Sequence, residues 1–453
     1  MTGYAVCADV GSTYTKVMAV DVTKGELVAA ADHPTTVDTD VLDGLDAAVA
    51  ALGGRFRDAP LRVCSSAGGG LRLAVVGYES LVTAEAGHRV GLSAGAKVVH
   101  VAAGQLDTAA VTALREARPD IVLLVGGTDG GDDEALRHNA AKLARSRLRT
   151  PIVLAGNAHA RDDLTALLGT RGRRVLPAEN VLPRIGELNP VDARAAIREV
   201  FLRHVIGGKK LSRGRRFGNL VRGATPDVVL TAVELLADGP GPSNVVVVDV
   251  GGATTDVYSV LTPDAEREGP RKEVAGTLWR SRTVEGDLGM RWSATGVVAA
   301  AAMESLLAPG EADSLYAAAE LRVAQPDLVP DGDADTATDQ RLAQLAITIA
   351  LRRHARGERI GPATGPRRGG KDLRQVTLVV GSGGVLRHRE AGPATRSLRA
   401  AVTDHAGGWP LPTDPRYAVD RRYVLAAAGL LADDHPGAAR TLLAREFGTP
   451  AGR

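Results

Sequence analysis

The alternation of apolar and polar positions at the start of the chain predicts three consecutive strands followed by a helix. Apolar runs cover residues 4–10, 15–22 and 26–31, and the residues between them favour tight turns. Apolar positions then recur at helical spacing over 42–52, and Asp40 is placed to cap that helix. The opening of the chain is therefore predicted to be a strand, strand, strand, helix unit.

The pattern of apolar and polar positions changes in the next part of the chain. Short apolar runs alternate there with helical stretches, the strands being expected at 97–103, 120–127, 151–156 and 173–177, and the helices at 107–118, 132–146 and 158–169. This alternation is typical of a parallel sheet covered by helices, and it predicts a small α/β domain inserted in the first half. Thr225 and Pro226 begin a later helix, while 208–223 and 355–374, rich in Arg and Gly, predict mobile surface segments.

One strand and turn occur twice without a gap, as DVGSTYTK at 9–16 and as DVGGATTD at 249–256. A turn of Gly and hydroxyl residues offers backbone N–H groups and hydroxyls to an anion, and a carboxylate at the strand end can hold a hydrated cation. Either copy alone is also compatible with an ordinary hairpin. Two aligned copies favour a site that grips a phosphate chain and its magnesium from both sides.

A third glycine segment follows an apolar run, as GSGG at 381–384. Because three of these four residues lack a Cβ, a ligand can lie against bare backbone. Because it follows two phosphate-type turns, we expect this segment to contact adenine and ribose. The helix predicted around Gly429 has a small-residue face, which permits a close helix crossing and a hinge between lobes.

Composition excludes several classes of function. The 453 residues carry 55 Lys and Arg against 53 Asp and Glu, so the net charge of +2 does not indicate nucleic acid or an anionic membrane as a partner. Aromatic residues, at 3%, are too few to build stacking platforms for single-stranded nucleic acid. Cys7 and Cys64 lie in apolar runs, which fits buried thiols in a reducing compartment. With no targeting segment or membrane-spanning run, a cytoplasmic location is expected.

In chain order, the two turns, the glycine segment and the small-residue helix resemble the phosphate motifs, the adenosine motif and the connecting helices of the actin-like ATPase superfamily. Sugar kinases, seventy-kilodalton heat-shock chaperones and actin belong to that superfamily. The resemblance implies an α/β protein with a two-lobed actin-like ATPase fold and an inserted Rossmann-like α/β domain. The expected divisions are 1–60 for the first part of the N-terminal lobe, 61–185 for the inserted domain, 186–244 for the return to the first lobe, and 245–453 for the C-terminal lobe with a connecting helix near 421–432.

A closer resemblance is to the accessory protein family of adenosylcobalamin-dependent glutamate mutase, also called methylaspartate mutase. The segments that carry it are 9–16, 34–40, 64–69, 124–131 and 283–291. It implies an ATP-driven reactivating factor whose partners are subunits of an adenosylcobalamin-dependent mutase. The chain lacks the Asp-x-His-x-x-Gly cobalamin signature, so it is not expected to hold the coenzyme as a mutase subunit does.

The resemblance also implies roles for individual residues, with ATP and Mg²⁺ bound between the lobes. Asp9 and Asp249 would hold magnesium-bound waters or orient the attacking water, and Glu285 and Asp287 are further candidates for that chemistry. The phosphates would be cradled by Gly11, Ser12, Thr13, Thr15, Gly251, Gly252, Thr254 and Thr255, and adenosine would be contacted by Gly381, Gly383 and Gly384. Lys16, which aligns with Asp256, is either a cation beside the phosphates or a lysine at the strand edge.

The sequence is also compatible with three other functions. The chain could be a small-molecule kinase of the same superfamily, or a nucleotide-sensing scaffold without useful turnover. The inserted domain could also bind a nucleotide or a corrin by itself. Its segment 125–131 ends a strand of the predicted parallel sheet, where ligands commonly bind, but it is equally compatible with a tight connection.

Overall fold

A computed structural model describes residues 3–67, 71–79, 82–94, 96–206, 211–239, 243–262, 280–359, 367–368, 370–388, 390–403 and 408–448. The strands are β1 Tyr4–Val10, β2 Tyr14–Asp21, β3 Glu26–Pro34, β4 Leu61–Ser65, β5 Arg72–Gly77, β6 Lys97–Ala103, β7 Ile121–Leu124, β8 Ile152–Leu154, β9 Val175–Pro177, β10 Val221–Ala224, β11 Val245–Val250, β12 Thr255–Val260, β13 Arg280–Glu285, β14 Glu358–Arg359, β15 Arg367–Arg368, β16 Leu378–Ser382 and β17 Arg416–Val419.

The helices alternate with these strands. They are α1 Val41–Ala51, α2 Thr83–Ser93, α3 Thr108–Glu116, α4 Glu134–Arg145, α5 Arg161–Gly169, α6 Val191–Val200, α7 Arg216–Leu220, α8 Thr225–Ala237, α9 Ala294–Met303, α10 Glu311–Ala324, α11 Gly332–Arg356, α12 Gly384–Arg387, α13 Ala391–Val402, α14 Val424–Leu431 and α15 Pro436–Phe447. Among the described residues, no helix combines the length and the apolar character needed to cross a membrane.

The repeat in the sequence extends to two whole sheets of the same topology. One sheet has the strand order β3–β2–β1–β4–β10, and the other has the order β13–β12–β11–β16–β17. In each, the first three strands are antiparallel neighbours and the last two run parallel to the central strand. Each sheet then leads into a helix, α8 after β10 and α14 after β17. The chain therefore contains two copies of one structural unit, which are the two lobes.

The two helices α8 and α14 lie between the lobes and pack in one shared core. This core also takes Ala5 and Cys7 from β1 and Val245 and Val247 from β11, all of them buried. At the helix crossing there is no room for a side chain, because a Cβ on Gly429 would lie 2.0 Å from a backbone oxygen of α8. Helix α14 lies within the region 421–432 for which the sequence predicts a connecting helix.

A third sheet forms the inserted domain. Its five strands are all parallel, in the order β6–β5–β7–β8–β9, and it lies in the connection between β4 and β10 of the first lobe. Helices α2 to α5 alternate with these strands, as a parallel sheet requires. The predicted fold class, two α/β lobes with an inserted α/β domain, is confirmed.

Several details differ from the sequence-based expectations. Residues 61–65 form β4, which pairs with β1 in the first lobe and not in the inserted domain. The predicted mobile segment 208–223 contains α7 and part of β10, because Phe217 and Val221 are buried against the first lobe. Residues 68–69 of the motif 64–69, residues 207–210, and 360–366 and 369 of the segment 355–374 lie outside the described part of the chain.

Candidate functional site

The two repeated aspartates lie at the ends of two rows of side chains that face the shared core. Side chains alternate along a strand, so Asp9 continues the row of Ala5 and Cys7, and Asp249 continues the row of Val245 and Val247. Both rows pack with α8 and α14 in the shared core. The fold thus brings the two carboxylates to the same space between the lobes.

The turns that follow these aspartates have the same backbone closure and face each other. Gly11 donates its N–H to the carbonyl of Tyr14 at 3.1 Å, and Gly251 donates to Thr254 at 2.9 Å. A Cβ on Gly252 would lie 3.5 Å from the hydroxyl of Thr13 in the opposite turn. The sequence repeat therefore forms two facing walls of one cleft.

Every polar atom of the Asp9 carboxylate has a neighbour. Its Oδ2 lies 3.3 Å from Nζ of Lys16, and its Oδ1 accepts a hydrogen bond of 2.6 Å from the Thr225 hydroxyl at the start of α8. The Cys64 thiol lies 3.7 Å from the same Oδ1. Asp9 is 5% exposed. It is therefore arranged to hold Lys16 and to tie β1 to α8.

Asp249 is less enclosed than Asp9 and lies beside Ser382. Its burial raises its pKa to about 6; Asp256 and Asp9 act in the same direction, while Lys16 and a hydrogen bond from Ser382 oppose them. For Lys16, burial alone lowers the pKa, but the carboxylates of Asp9 and Asp249 outweigh it and raise the pKa above the usual value. The site thus holds a firmly charged lysine beside a carboxyl group that titrates near neutral pH.

The one difference between the copies, Lys16 against Asp256, is also a difference in pairing. The two residues occupy the same register, because Asp9 pairs with Lys16 and Asp249 pairs with Asp256. Arg282 of β13 binds Asp256 Oδ1 through Nη2 at 2.6 Å. The acid of the second copy is therefore neutralised within its own lobe, while Lys16 pairs with Asp9 and also attracts the carboxylate of Asp249.

Two of the predicted phosphate-binding hydroxyls point away from the cleft. Thr15 is fully buried and its hydroxyl lies 3.0 Å from that of Thr35, and the fully buried Thr255 donates its hydroxyl to the Leu288 carbonyl. Strand alternation explains this, because each threonine is next to a residue that faces the cleft. The predicted cradle residues with exposed or partly exposed surface are Ser12, Thr13, Gly251, Gly252 and Thr254.

Glu285 is the predicted catalytic residue that the structure places elsewhere. It pairs with Thr255 across β12 and β13, so its side chain lies on the face of the sheet opposite Asp249. Its Oε2 lies 2.8 Å from Arg353, which also binds Asp287 at 2.7 Å. Glu285 belongs to an ion-pair cluster with α11 and is not brought to the cleft.

The three glycines predicted to contact adenosine have different environments. A Cβ on Gly381 would lie 2.7 Å from a Leu386 side chain, and one on Gly383 would lie 2.1 Å from the Val250 carbonyl oxygen. Gly383 also has a φ of 108°. These two are needed for packing and backbone geometry. Gly384 begins α12 and is exposed, so it presents open backbone beside the cleft.

Sequence reasoning missed other residues at the cleft. Thr225 and Ser382 each contact one of the aspartates, and the ring of Tyr423 lies against both Lys16 and Arg387. Asp420 caps α14 by accepting hydrogen bonds from the Val424 and Leu425 amides. Thr225 could have been found from the sequence, since it begins a predicted helix. Ser382 pairs with Asp249 within one sheet, and Asp420 lies only four residues before Val424. The contact between Tyr423 and Lys16, by contrast, joins the two lobes, and the sequence pattern does not express it.

Two lobes of repeated topology, a crossing helix from each, and an aspartate turn from each facing the other define the actin-like ATPase fold. Residues 5–447 match a family model described as MutL protein. Protein MutL of Clostridium tetanomorphum is 36% identical over 444 residues, which cover 94% of this chain and 96% of that protein. The chain belongs to the MutL family, the glutamate mutase accessory family that its motifs indicate.

Solved structures of similar chains are more distant. A nucleotide-free acetone carboxylase is 14% identical with a TM-score of 0.41, over 95% of this chain and 70% of its own. Component A of (R)-2-hydroxyglutaryl-CoA dehydratase from Acidaminococcus fermentans is 11% identical with a TM-score of 0.31, over 96% of this chain and 99% of its own.

Proposed function

We propose that this protein binds and hydrolyses ATP in the cleft and uses the cycle to reactivate an adenosylcobalamin-dependent mutase of the glutamate mutase type. The observation that supports nucleotide binding is that the two turns face each other. Gly252 lies opposite Thr13, and an aspartate precedes each turn. Membership of the MutL family supports the mutase as partner.

In this proposal the exposed parts of both turns surround the phosphate chain. Backbone N–H groups and hydroxyls of the cradle residues bind phosphate oxygens, and Lys16 supplies a fixed positive charge where charge develops during hydrolysis. Asp249 orients the attacking water or a magnesium-bound water. Gly384 presents open backbone to the adenosine.

The carboxylates suit a hydrated magnesium ion. Among the described residues, no cluster of three or more His, Cys, Asp or Glu side chains is placed to hold a metal ion. Asp9 is already bonded to Lys16 and Thr225, and Asp249 has exposed surface. Magnesium usually keeps several waters and is held by one or two carboxylates together with substrate phosphates. Asp249 would hold such an ion, with Asp9 reaching it only through water, and the ion would neutralise phosphate charge.

A contact between the inserted domain and the second lobe offers a route from nucleotide to partner. A Cβ on Gly286, just after β13, would lie 3.2 Å from Nζ of Lys97 at the start of β6. Movement of one lobe against the other therefore alters the support of the inserted domain, which we propose as the mutase docking region. A coupling of ~1 to 3 kcal/mol would change partner affinity roughly 5- to 150-fold.

Reactivation should require hydrolysable ATP. The test incubates the protein with Mg²⁺ and a glutamate mutase carrying damaged cobalamin, adds intact coenzyme, and measures recovered mutase activity and released phosphate. Recovery is expected with ATP, and not with ADP or a non-hydrolysable analogue. Equal recovery without nucleotide would contradict the proposal, and formation of a phosphorylated small molecule would favour a kinase.

ATP hydrolysis should weaken at mildly acidic pH. Because the pKa of Asp249 is raised to about 6, its carboxylate form predominates above that pH and is lost as the pH falls through it. With one required carboxylate, the rate should fall about tenfold for each pH unit below the pKa. The pH dependence of kcat/KM for Mg²⁺-ATP, which reports the pKa values of the protein without nucleotide, measures this limb. A flat profile down to pH 5, in a protein that remains folded, would contradict the role of Asp249.

A further inference from the structure

Arg387 lies in the boundary between the lobes with little to satisfy its charge. Its side chain is 14% exposed, and its ion pair with Asp32 of β3 has a long distance of 3.6 Å. Nη1 is buried and has no hydrogen-bond partner among the described residues. Burying a guanidinium without good partners costs free energy, so this position favours an anion that approaches the group.

The aromatic ring of Tyr423 fixes Arg387 beside the candidate site. The guanidinium carbon of Arg387 lies 3.7 Å from the centre of the ring, and Nζ of Lys16 lies 4.7 Å from the same centre. Tyr423 directly precedes α14 and has a φ of 56°, a left-handed conformation that is uncommon for a bulky residue. The Tyr423 ring therefore contacts one cationic side chain from each lobe, because its π system attracts positive charge.

Asp32 is a weak partner in this arrangement. It lies directly across the strand pair from Lys16, which pairs with Asp9 on the other side. Its side chain is 41% exposed, and an exposed ion pair at 3.6 Å contributes little. A phosphate group would bind Arg387 better, because a guanidinium forms paired, charge-assisted hydrogen bonds with phosphate oxygens.

We propose that Arg387 and Lys16 together bind the anionic part of a nucleoside di- or triphosphate, and that Asp32 competes with it for Arg387. Asp32 thereby limits the affinity of the cleft for nucleotide. Transfer of Arg387 from Asp32 to the phosphates also breaks a contact between the second lobe and β3 of the first. This inference rests on the proposed function, because it assumes that the cleft takes a nucleotide.

The competition is tested by measuring Kd for a fluorescent ATP analogue with Mg²⁺. Arg387→Gln is expected to weaken binding about 10- to 100-fold, as the loss of charged hydrogen bonds does, and Arg387→Lys should weaken it less. Asp32→Asn is expected to tighten binding roughly 2- to 5-fold. Arg396→Gln, which removes an exposed arginine of α13, is the control and should leave Kd unchanged.

The double variant separates competition from a general structural effect. In the Arg387→Gln background, Asp32→Asn should no longer change Kd, because the arginine for which Asp32 and the nucleotide compete is absent. Retained tightening in that background would overturn the competition, and unchanged Kd in folded Arg387→Gln would overturn the role of Arg387. If the wild-type protein itself bound no nucleotide, the proposed function would fail instead. Thermal unfolding of each variant identifies any that do not fold.

Discussion

Replacement of Asp249 by asparagine is expected to reduce ATP hydrolysis roughly 100-fold or more while the protein stays folded. The carboxylate faces the cleft, has exposed surface, and lies beside Lys16 and Ser382. Asparagine keeps the size of the side chain but removes the negative charge that, in the proposed function, would orient water or hold a magnesium-bound water. Recovery of the damaged mutase should be lost in parallel, because it depends on the same step.

The matched control is Asp420→Asn. Asp420 is a buried carboxyl whose pKa, like that of Asp249, is raised to about 6, mainly by burial, but it accepts hydrogen bonds from the amides at the start of α14. Its replacement should leave hydrolysis within a few-fold of the wild-type rate. Phosphate release at saturating Mg²⁺-ATP is the measurement for both variants. A wild-type rate in Asp249→Asn would remove Asp249 from the proposed chemistry.

The second large effect is expected at the helix crossing. Gly429→Ala places a methyl carbon where the Val228 carbonyl oxygen is only 2.0 Å away, so α14 must move from α8. Overpacking of this kind costs about 1–3 kcal/mol, and occasionally more. Because the two helices join the lobes, the variant should also change nucleotide affinity.

Gly437→Ala is the matched control, since it makes the same substitution in the neighbouring helix α15. A Cβ at Gly437 would have open space around it, and alanine in a helix is favoured over glycine by about 0.5–1 kcal/mol. Midpoints of thermal unfolding should therefore fall for Gly429→Ala and stay level or rise for Gly437→Ala. A similar response of the two variants would show that the crossing tolerates a side chain.

Local sequence signals predicted the elements that carry their own pattern. The strands and turn around Asp9 and Asp249 alternate apolar and polar residues and end in Gly, so the cleft walls could be predicted from the sequence. Strand β5 was missed because its short apolar run follows glycines, which favour a loop. Glu285 ends β13, a strand that the sequence analysis did not predict. Strand alternation, applied to the turns, would also have placed Thr15 and Thr255 on the far face.

The remaining errors concern contacts that form only when the lobes meet. Arg387 and Tyr423 are far apart from Lys16 in sequence, and no periodicity connects them. Asp32 could not be predicted for the same reason, since its partner Arg387 comes from the opposite lobe. The sequence therefore predicted the parts of the cleft built by neighbouring residues, and could not predict the cations and the ring that the tertiary structure assembles.

The insertion between β4 and β10 breaks the symmetry of the two lobes. In the corresponding connection of the second lobe, between β16 and β17, the described residues form α12 and α13 and no further sheet. Under the proposed function, a rotation of the lobes about the glycine crossing would carry the inserted sheet along with the first lobe. A small angular change in the cleft would then become a larger displacement at the outer edge of that sheet, and this displacement would have a fixed direction because the described part of the second lobe has no matching sheet.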